Sequence, residues 1–264
     1  MKTGCSGLSA PWRSAYNLLM SIESEAPVPE ARFLTTHWSV VVAAQAKVDT
    51  GSQEALERLC RTYWFPLYAF VRRQGHSAAD AQDLTQEFFA RLFQKDYLKS
   101  AAQEKGKFRT FLLVALKRFL ANEWDRQHAA KRGGFTPPVS IDQEMAENRF
   151  ANEPGHNLQP DVLFDRQWAM TVLEQSLAEL QEEYVKTGRA KLFEALRGIL
   201  DRDETALLYS EIASKLNLSE AAVKMAVYRM RNRYRELLRG QIANTVSTPQ
   251  EIEEEVLHLF TAFG

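Results

Sequence analysis

Apolar residues recur along this chain at helical spacing, and the two-residue alternation of a strand is absent. The clearest case is "NLSEAAVKMAVYRMRNRYRELLRG", residues 217–240, in which Val223, Ala226, Val227, Met230, Tyr234, Leu237 and Leu238 form one continuous stripe. Chains of this kind bury their apolar surface by packing helix on helix. Only 12 glycines and 9 prolines occur in 264 residues, too few for the turn-rich connections of a sandwich or barrel. The expected fold class is all-α.

The composition, 45% hydrophobic and 25% charged, is that of a chain that folds around its own core. Cys5 and Cys60 stand far apart with no Cys-x-x-Cys partner, so neither a disulfide framework nor a structural zinc site is expected. A reducing, cytoplasmic location fits. No apolar run approaches the roughly 20 residues of a membrane span, so no membrane insertion is expected. Residues 1–32 read as a poorly ordered N-terminal segment, and Met20 competes with Met1 as the initiator.

A formal net charge of -1 hides segregated blocks. Residues 105–132 hold Lys105, Lys107, Arg109, Lys117, Arg118, Arg126, Lys131 and Arg132 against Glu123 and Asp125. Residues 133–165 reverse the sign, with Asp142, Glu144, Glu147, Glu153, Asp161 and Asp165 against Arg149, and are rich in glycine and proline. They read as an acidic linker between two small helical domains, 33–132 and 166–240. The 217–240 stretch is basic again, and 241–264 is an acidic helical extension carrying Glu251, Glu253, Glu254 and Glu255.

In "HSAADAQDLTQEFFARLF" Ser77 precedes Asp80 by three positions, a capping-box-like start, and Leu84, Phe88 and Leu92 follow at i, i+4, i+8. Asp80, Asp83 and Glu87 share one face of that helix. Clustered like charges cost stability, so the face is either simply solvated or built for a basic partner. "GKFRTFLLVALKRFLANEWDRQHAAKRGG" predicts a second long helix, closed by Gly133. Phe108, Phe111 and Phe119 read as core. Asn122, Trp124 and Arg126 interleave polar, aromatic and basic groups in the way that suits single-stranded nucleic acid.

"YSEIASKLNLSEAAVKMAVYRMRNRYRELL" divides into a short helix, a turn at Asn217, Leu218 and Ser219, and a long helix capped by Ser219. Lys224, Arg231, Arg235 and Arg239 flank the apolar stripe on one side and Arg229 and Arg233 on the other. This is a helix-turn-helix layout, with the second helix offered to a major groove, although plain helical hairpins share its spacing.

Taken in this order, "DAQDLTQEFFARLF", "FRTFLLVALKRFLANEWDR" and "YSEIASKLNLSEAAVKMAVYRMRNRYRELLR" resemble the extracytoplasmic function (ECF) sigma factors of bacterial RNA polymerase, over roughly residues 33–240. "TTHWSVV", "YWFPLYAFVRRQGH" and the tail resemble a subgroup with a C-terminal extension. The resemblance implies a region 2-like domain at 33–132, a region 4-like domain at 166–240, and no cofactor, metal or catalytic residue. It assigns Asp80, Asp83, Gln86 and Glu87 to the clamp helices of the largest polymerase subunit. Lys117, Arg118, Asn122, Trp124 and Arg126 fall to the -10 element. Ser219, Ala222, Lys224, Met225, Tyr228, Arg229, Arg231, Arg233 and Arg235 fall to the -35 element, and the polymerase flap is a further implied contact. It also implies that the linker threads the basic RNA path, imitating nucleic acid; a plain tether is the alternative. An anti-sigma factor or a Ser/Thr kinase is a further candidate partner.

Two positions depart from the family pattern. Gln82 stands where an acid is usual, and Met225 stands where the family has serine, so base preference does not transfer. The final helix, from Thr248 and Pro249, shows Ile252, Val256, Leu259 and Phe263 opposite its glutamates and is expected to pack on the second domain and screen the basic helix. Thr85, beside the acidic face, would add charge there if phosphorylated. No G-x-x-x-x-G-K-[ST], G-x-G-x-x-G or H-E-x-x-H motif occurs, which argues against an enzyme. The rival readings are a helix-turn-helix regulator that acts without joining polymerase and an adaptor that makes only protein contacts.

Overall fold

The computed structural model describes residues 50–93, 107–127, 143–151, 158–200, 206–243, 245–246 and 248–263. Among them are nine helices and no strand: α1 (Thr50–Arg73), α2 (Ala78–Leu92), α3 (Phe108–Gln127), α4 (Gln143–Ala151), α5 (Pro160–Lys186), α6 (Ala190–Leu200), α7 (Ala206–Leu216), α8 (Glu220–Ala243) and α9 (Pro249–Thr261). The all-α expectation holds. No described helix is long and apolar enough to cross a membrane. "TTHWSVV", Cys5, His128, Lys131, Arg132 and the expected cap at Gly133 lie outside the described residues. Of those described, 50–169 and 242–263 form one compact unit and 170–241 another.

The first unit is built on α1, whose Tyr63, Leu67, Tyr68, Ala69, Phe70 and Val71 are almost wholly buried. Pro66 lies inside α1 and removes one backbone donor, yet the helix continues because buried aromatics hold it on both sides of the proline. Gly75 lies in the α1–α2 connection at φ 94°, a conformation that disfavours any side chain even where space is open. Ser77 then caps α2: its Oγ accepts from the Asp80 amide at 3.1 Å and donates to Asp80 Oδ2 at 2.7 Å. Helix α2 packs on α1 and α3, with Phe88 5.7 Å from Phe119, while Tyr63 sits edge-on to Phe108 at 5.3 Å. Each such side chain contributes about 1.5–3 kcal/mol when buried. Cys60 belongs to this core; burial, with Glu57 nearby, pushes its thiol up to about 12, so it packs rather than reacts.

Helix α4 lies inside the stretch read as a linker. Nine residues rarely hold a helix in water alone; here tertiary contacts supply the stability. Arg72 donates from Nε and Nη2 to Glu147 at 2.8 and 3.0 Å, and the Tyr68 hydroxyl also donates to that carboxylate. The Arg149 guanidinium lies 4.1 Å over Phe65, and Arg72 and Arg73 face the Phe150 ring at 4.9 and 4.8 Å. The Arg72 hydrogen bonds hold the Glu147 carboxyl below the usual carboxylate range.

The expectation for the final helix is overturned. Helix α9 belongs with the first unit, not the second, and Glu255 is 1% exposed. Arg109, 7% exposed, donates from Nε and Nη2 to the Glu255 oxygens at 3.2 Å each and from Nη1 to Asp165, and its guanidinium stacks 4.9 Å from the Trp168 ring. Lys107 Nζ reaches Glu255 at 2.9 Å and Glu254 at 3.4 Å; His258 lies 3.2 Å from Asp165. Burial pushes the Glu255 carboxyl up, but the hydrogen bonds and charges of Arg109 and Lys107 outweigh it and leave the group below its ordinary value. A carboxylate that charges alone would have kept in water is thus drawn inward by the cations at the start of α3.

In the second unit, α5 from Met170 onward, α6, α7 and α8 enclose Leu173, Leu180, Phe193, Leu196, Ile212, Val223, Val227, Met230, Tyr234 and Leu238. The Tyr234 hydroxyl donates to the Leu173 carbonyl at 3.2 Å, and burial raises its phenol well above the ordinary value. Arg233 pairs with Glu183 at 2.6 and 2.9 Å and with Glu236 at 2.7 Å, joining α8 to α5.

Candidate functional site

Three surfaces carry the sequence-predicted residues. On α2, Asp80 and Asp83 are exposed, while Gln86 and Glu87 are half-buried. These side chains are not equivalent. Asp80 closes the N-terminal cap, and Glu87 accepts from Arg91, which also meets Glu123 of α3 at 2.7 Å and lies 4.9 Å over Phe119. Asp83 has no ion-pair partner among the described residues, which makes it the most available carboxylate of the face. Thr85 is corrected: it is fully buried and donates to the Ala81 carbonyl at 2.7 Å, so its hydroxyl is closed to modification.

On α3, helical periodicity separates the predicted residues into two flanks. Lys117 and Trp124 lie on one, Arg118 and Asn122 on the other, and all four are exposed, Trp124 by 66%. Arg126 lies within α3, with its side chain outside the described set. Lys117 Nζ pairs with Asp161 at 2.6 Å, both side chains about half exposed. Such a pair is worth only about 0.2–1 kcal/mol, so a phosphate can compete for the lysine. Asp161 comes from the acidic stretch and was not singled out in the sequence; only the fold brings it within reach.

The third surface is the α7–α8 pair. Asn217 adopts φ 52°, the Leu218 amide donates to the Ala213 carbonyl at 2.9 Å and the Asn217 amide to Ser214 at 3.4 Å. This left-handed turn satisfies the last carbonyls of α7 and redirects the chain, a role that asparagine tolerates better than most residues. Ser219 accepts from the Ala222 amide at 3.1 Å and starts α8. Lys224, Met225, Tyr228 and Arg229 are exposed. Lys224 Nζ stands 5.6 Å from the Tyr209 ring, and Arg229 has no ion-pair partner among the described residues. Ala222, Arg231 and Arg235 are half-buried. Burial, reinforced by neighbouring Arg239, lowers the Arg235 guanidinium from its ordinary value. Arg233 is held by the Glu183 and Glu236 carboxylates, which raise its guanidinium above the ordinary value and turn it toward the fold.

Among the described residues no group of His, Cys, Asp or Glu could hold a metal ion. The arrangement offers an acidic helix face, an exposed aromatic among polar and basic groups, and a capped helix pair with a cationic outer face. None of these forms a reaction centre; together they suit docking to a basic protein surface and to nucleic acid. Neither a curated protein nor a solved structure matches the chain. The ECF sigma factor family model matches residues 41–240, a range that begins before α1, covers all three surfaces and ends in α8. The chain belongs to the ECF sigma factor family and is an RNA polymerase sigma factor, a non-catalytic initiation factor whose partners are core RNA polymerase and promoter DNA.

Proposed function

We propose that this sigma factor divides its work among the three surfaces, acting in the cytoplasm. Asp80, Asp83, Gln86 and Glu87 on α2 dock on the clamp helices of the largest polymerase subunit, with Asp83 the leading contact. Lys117, Arg118, Asn122, Trp124 and Arg126 on α3 melt and hold the -10 element, Trp124 stacking an unpaired base. The second unit reads the -35 element in duplex form through the outer face of α8 and meets the polymerase flap.

Among the basic residues of α8, Lys224 and Arg229 contact the groove and Arg231 and Arg235 the phosphates. Ser219 and Ala222 act through the start of the helix, and Arg233 contributes after exchange of its carboxylate partners. The stretch 133–165 serves as an acidic linker into the RNA path, a role that requires α4 to leave α1. An anti-sigma protein would act by covering one of these surfaces.

The single observation that carries this reading is the coexistence, within one family match, of an exposed acidic face on α2 and a capped, cationic helix-turn-helix at α7–α8. A regulator working without polymerase needs only the second. The test is specific initiation by core polymerase plus this protein on a promoter library. Charge reversal at Asp83 should weaken polymerase binding and leave the DNA preference unchanged. DNA binding by the protein with no transcripts would favour the stand-alone regulator.

A further inference from the structure

The groove-facing side of α8 is unusual for a base reader. Ala221, Met225 and Tyr228 follow one another at i, i+4 and i+7 along the side opposite the buried stripe, so they share the outer face. Met225 is 51% exposed and Tyr228 is 59% exposed. Neither Met225 nor Tyr228 carries a guanidinium or a carboxamide, so the bidentate hydrogen bonds that specify guanine or adenine would have to come from Arg229 or from Asn232 farther along the helix, not from these positions. The Ser219 hydroxyl is occupied by its cap. Cations lie on both flanks: Lys224, whose ammonium stands near the Tyr209 ring, and Arg229.

We infer that Met225 and the Tyr228 ring read thymine through its C5 methyl group, so that the duplex element recognised by α8 is selected for thymine by apolar contact. The inference rests on the proposed duplex reading by this helix. A thioether meets purine N7 and O6 or the amino groups of cytosine and adenine only at the cost of their hydration. The thymine methyl is the one apolar feature on the major-groove edge, and burying it against half-exposed Met225 removes apolar surface of both partners from water. Lys224 and Arg229 in the groove, with Arg231 and Arg235 toward the phosphates, surround the apolar pair with positive charge, and this charge complementarity favours duplex DNA over a protein as the occupant. Specificity at the positions under Met225 and Tyr228 is then carried by shape and methyl content.

The test uses the full chain bound to core polymerase. Duplexes selected from a randomised library are remade with deoxyuridine for thymidine, one position at a time, which removes only the methyl. At one or two adjacent positions the affinity should fall about fourfold, the equivalent of one methyl group at about 0.8 kcal/mol. Met225→Ala should abolish that difference between thymidine and deoxyuridine, whereas Tyr228→Phe should retain it; circular dichroism checks that both variants fold. Equal affinity for both bases at every position, with selective binding otherwise normal, overturns this inference alone. Persistence of the difference in Met225→Ala, or a loss of polymerase binding with base selection unchanged, also overturns it. A holoenzyme with no sequence-selective duplex binding overturns the duplex reading as well.

Discussion

Helices α3 and α8 both carry many lysines and arginines, yet the fold uses the two sets differently. At the start of α3, Lys107 and Arg109 point into the first unit and meet Glu254, Glu255 and Asp165. Cations there oppose the positive end of the helix dipole, and carboxylates drawn from elsewhere compensate them. On α8, Arg233 is tied to carboxylates in this way, while Lys224 and Arg229 remain on the outer face. The contrast teaches that a count of basic residues overstates a nucleic-acid surface: part of the charge on α3 fastens the C-terminal extension.

The comparison breaks most visibly at Arg109. Arg109→Ala leaves Glu255 buried without its main partner and should lower stability by about 3–5 kcal/mol in urea unfolding. The double variant Arg109→Met, Glu255→Leu should recover most of the loss. A loss below about 1 kcal/mol for the single variant would mean that this pair is solvated and that the two helices are alike.

Trp124 provides the next largest effect. Because the ring is two-thirds exposed, Trp124→Ala should leave the melting temperature nearly unchanged while weakening the holoenzyme's hold on single-stranded -10 DNA by about 1–3 kcal/mol. Anisotropy with a labelled oligonucleotide measures it. On α8, Arg235→Ala should reduce the slope of log affinity against log salt by about one unit for duplex DNA. Arg233→Ala should change that slope less and instead cost about 0.2–1 kcal/mol of stability, since its partners are partly exposed.

The smallest expected effect is acid sensitivity at the α4 contact. Glu147 is held below its ordinary value by Arg72, so its contribution is fully present above the unfolded carboxylate value of about 4.3 and is lost as pH falls through the lower folded value. Thermal melts of the full chain and Glu147→Gln should therefore differ at neutral pH and converge in acid. A gap that widened in acid would reverse the sign and sink the assignment.

Local features were legible. The spacing of Ser77 and Asp80 predicted the α2 cap, and Ser219 with Asn217 predicted the turn into α8, because caps and turns are settled within a few residues. The stripe of α8 was likewise readable, and Val223, Val227, Met230, Tyr234, Leu237 and Leu238 are buried as expected. The residues misjudged were those whose surroundings come from far along the chain. Glu255 read only as one of the glutamates opposite the apolar stripe of the final helix; its partner Arg109 is 146 positions away. Thr85 looked accessible beside three carboxylates, but it lies on the boundary where α2 turns inward.

The sequence by itself determined the helical class, the helix-turn-helix, the family and the order of acidic and basic blocks, since periodicity, capping and motif spacing are properties of short segments. Only the tertiary structure decided which charges remain available. An ionic side chain enters a core when a partner arrives to offset its desolvation, and whether Arg109, Glu147 or Glu255 finds one depends on the packing of distant helices rather than on its neighbours in the chain.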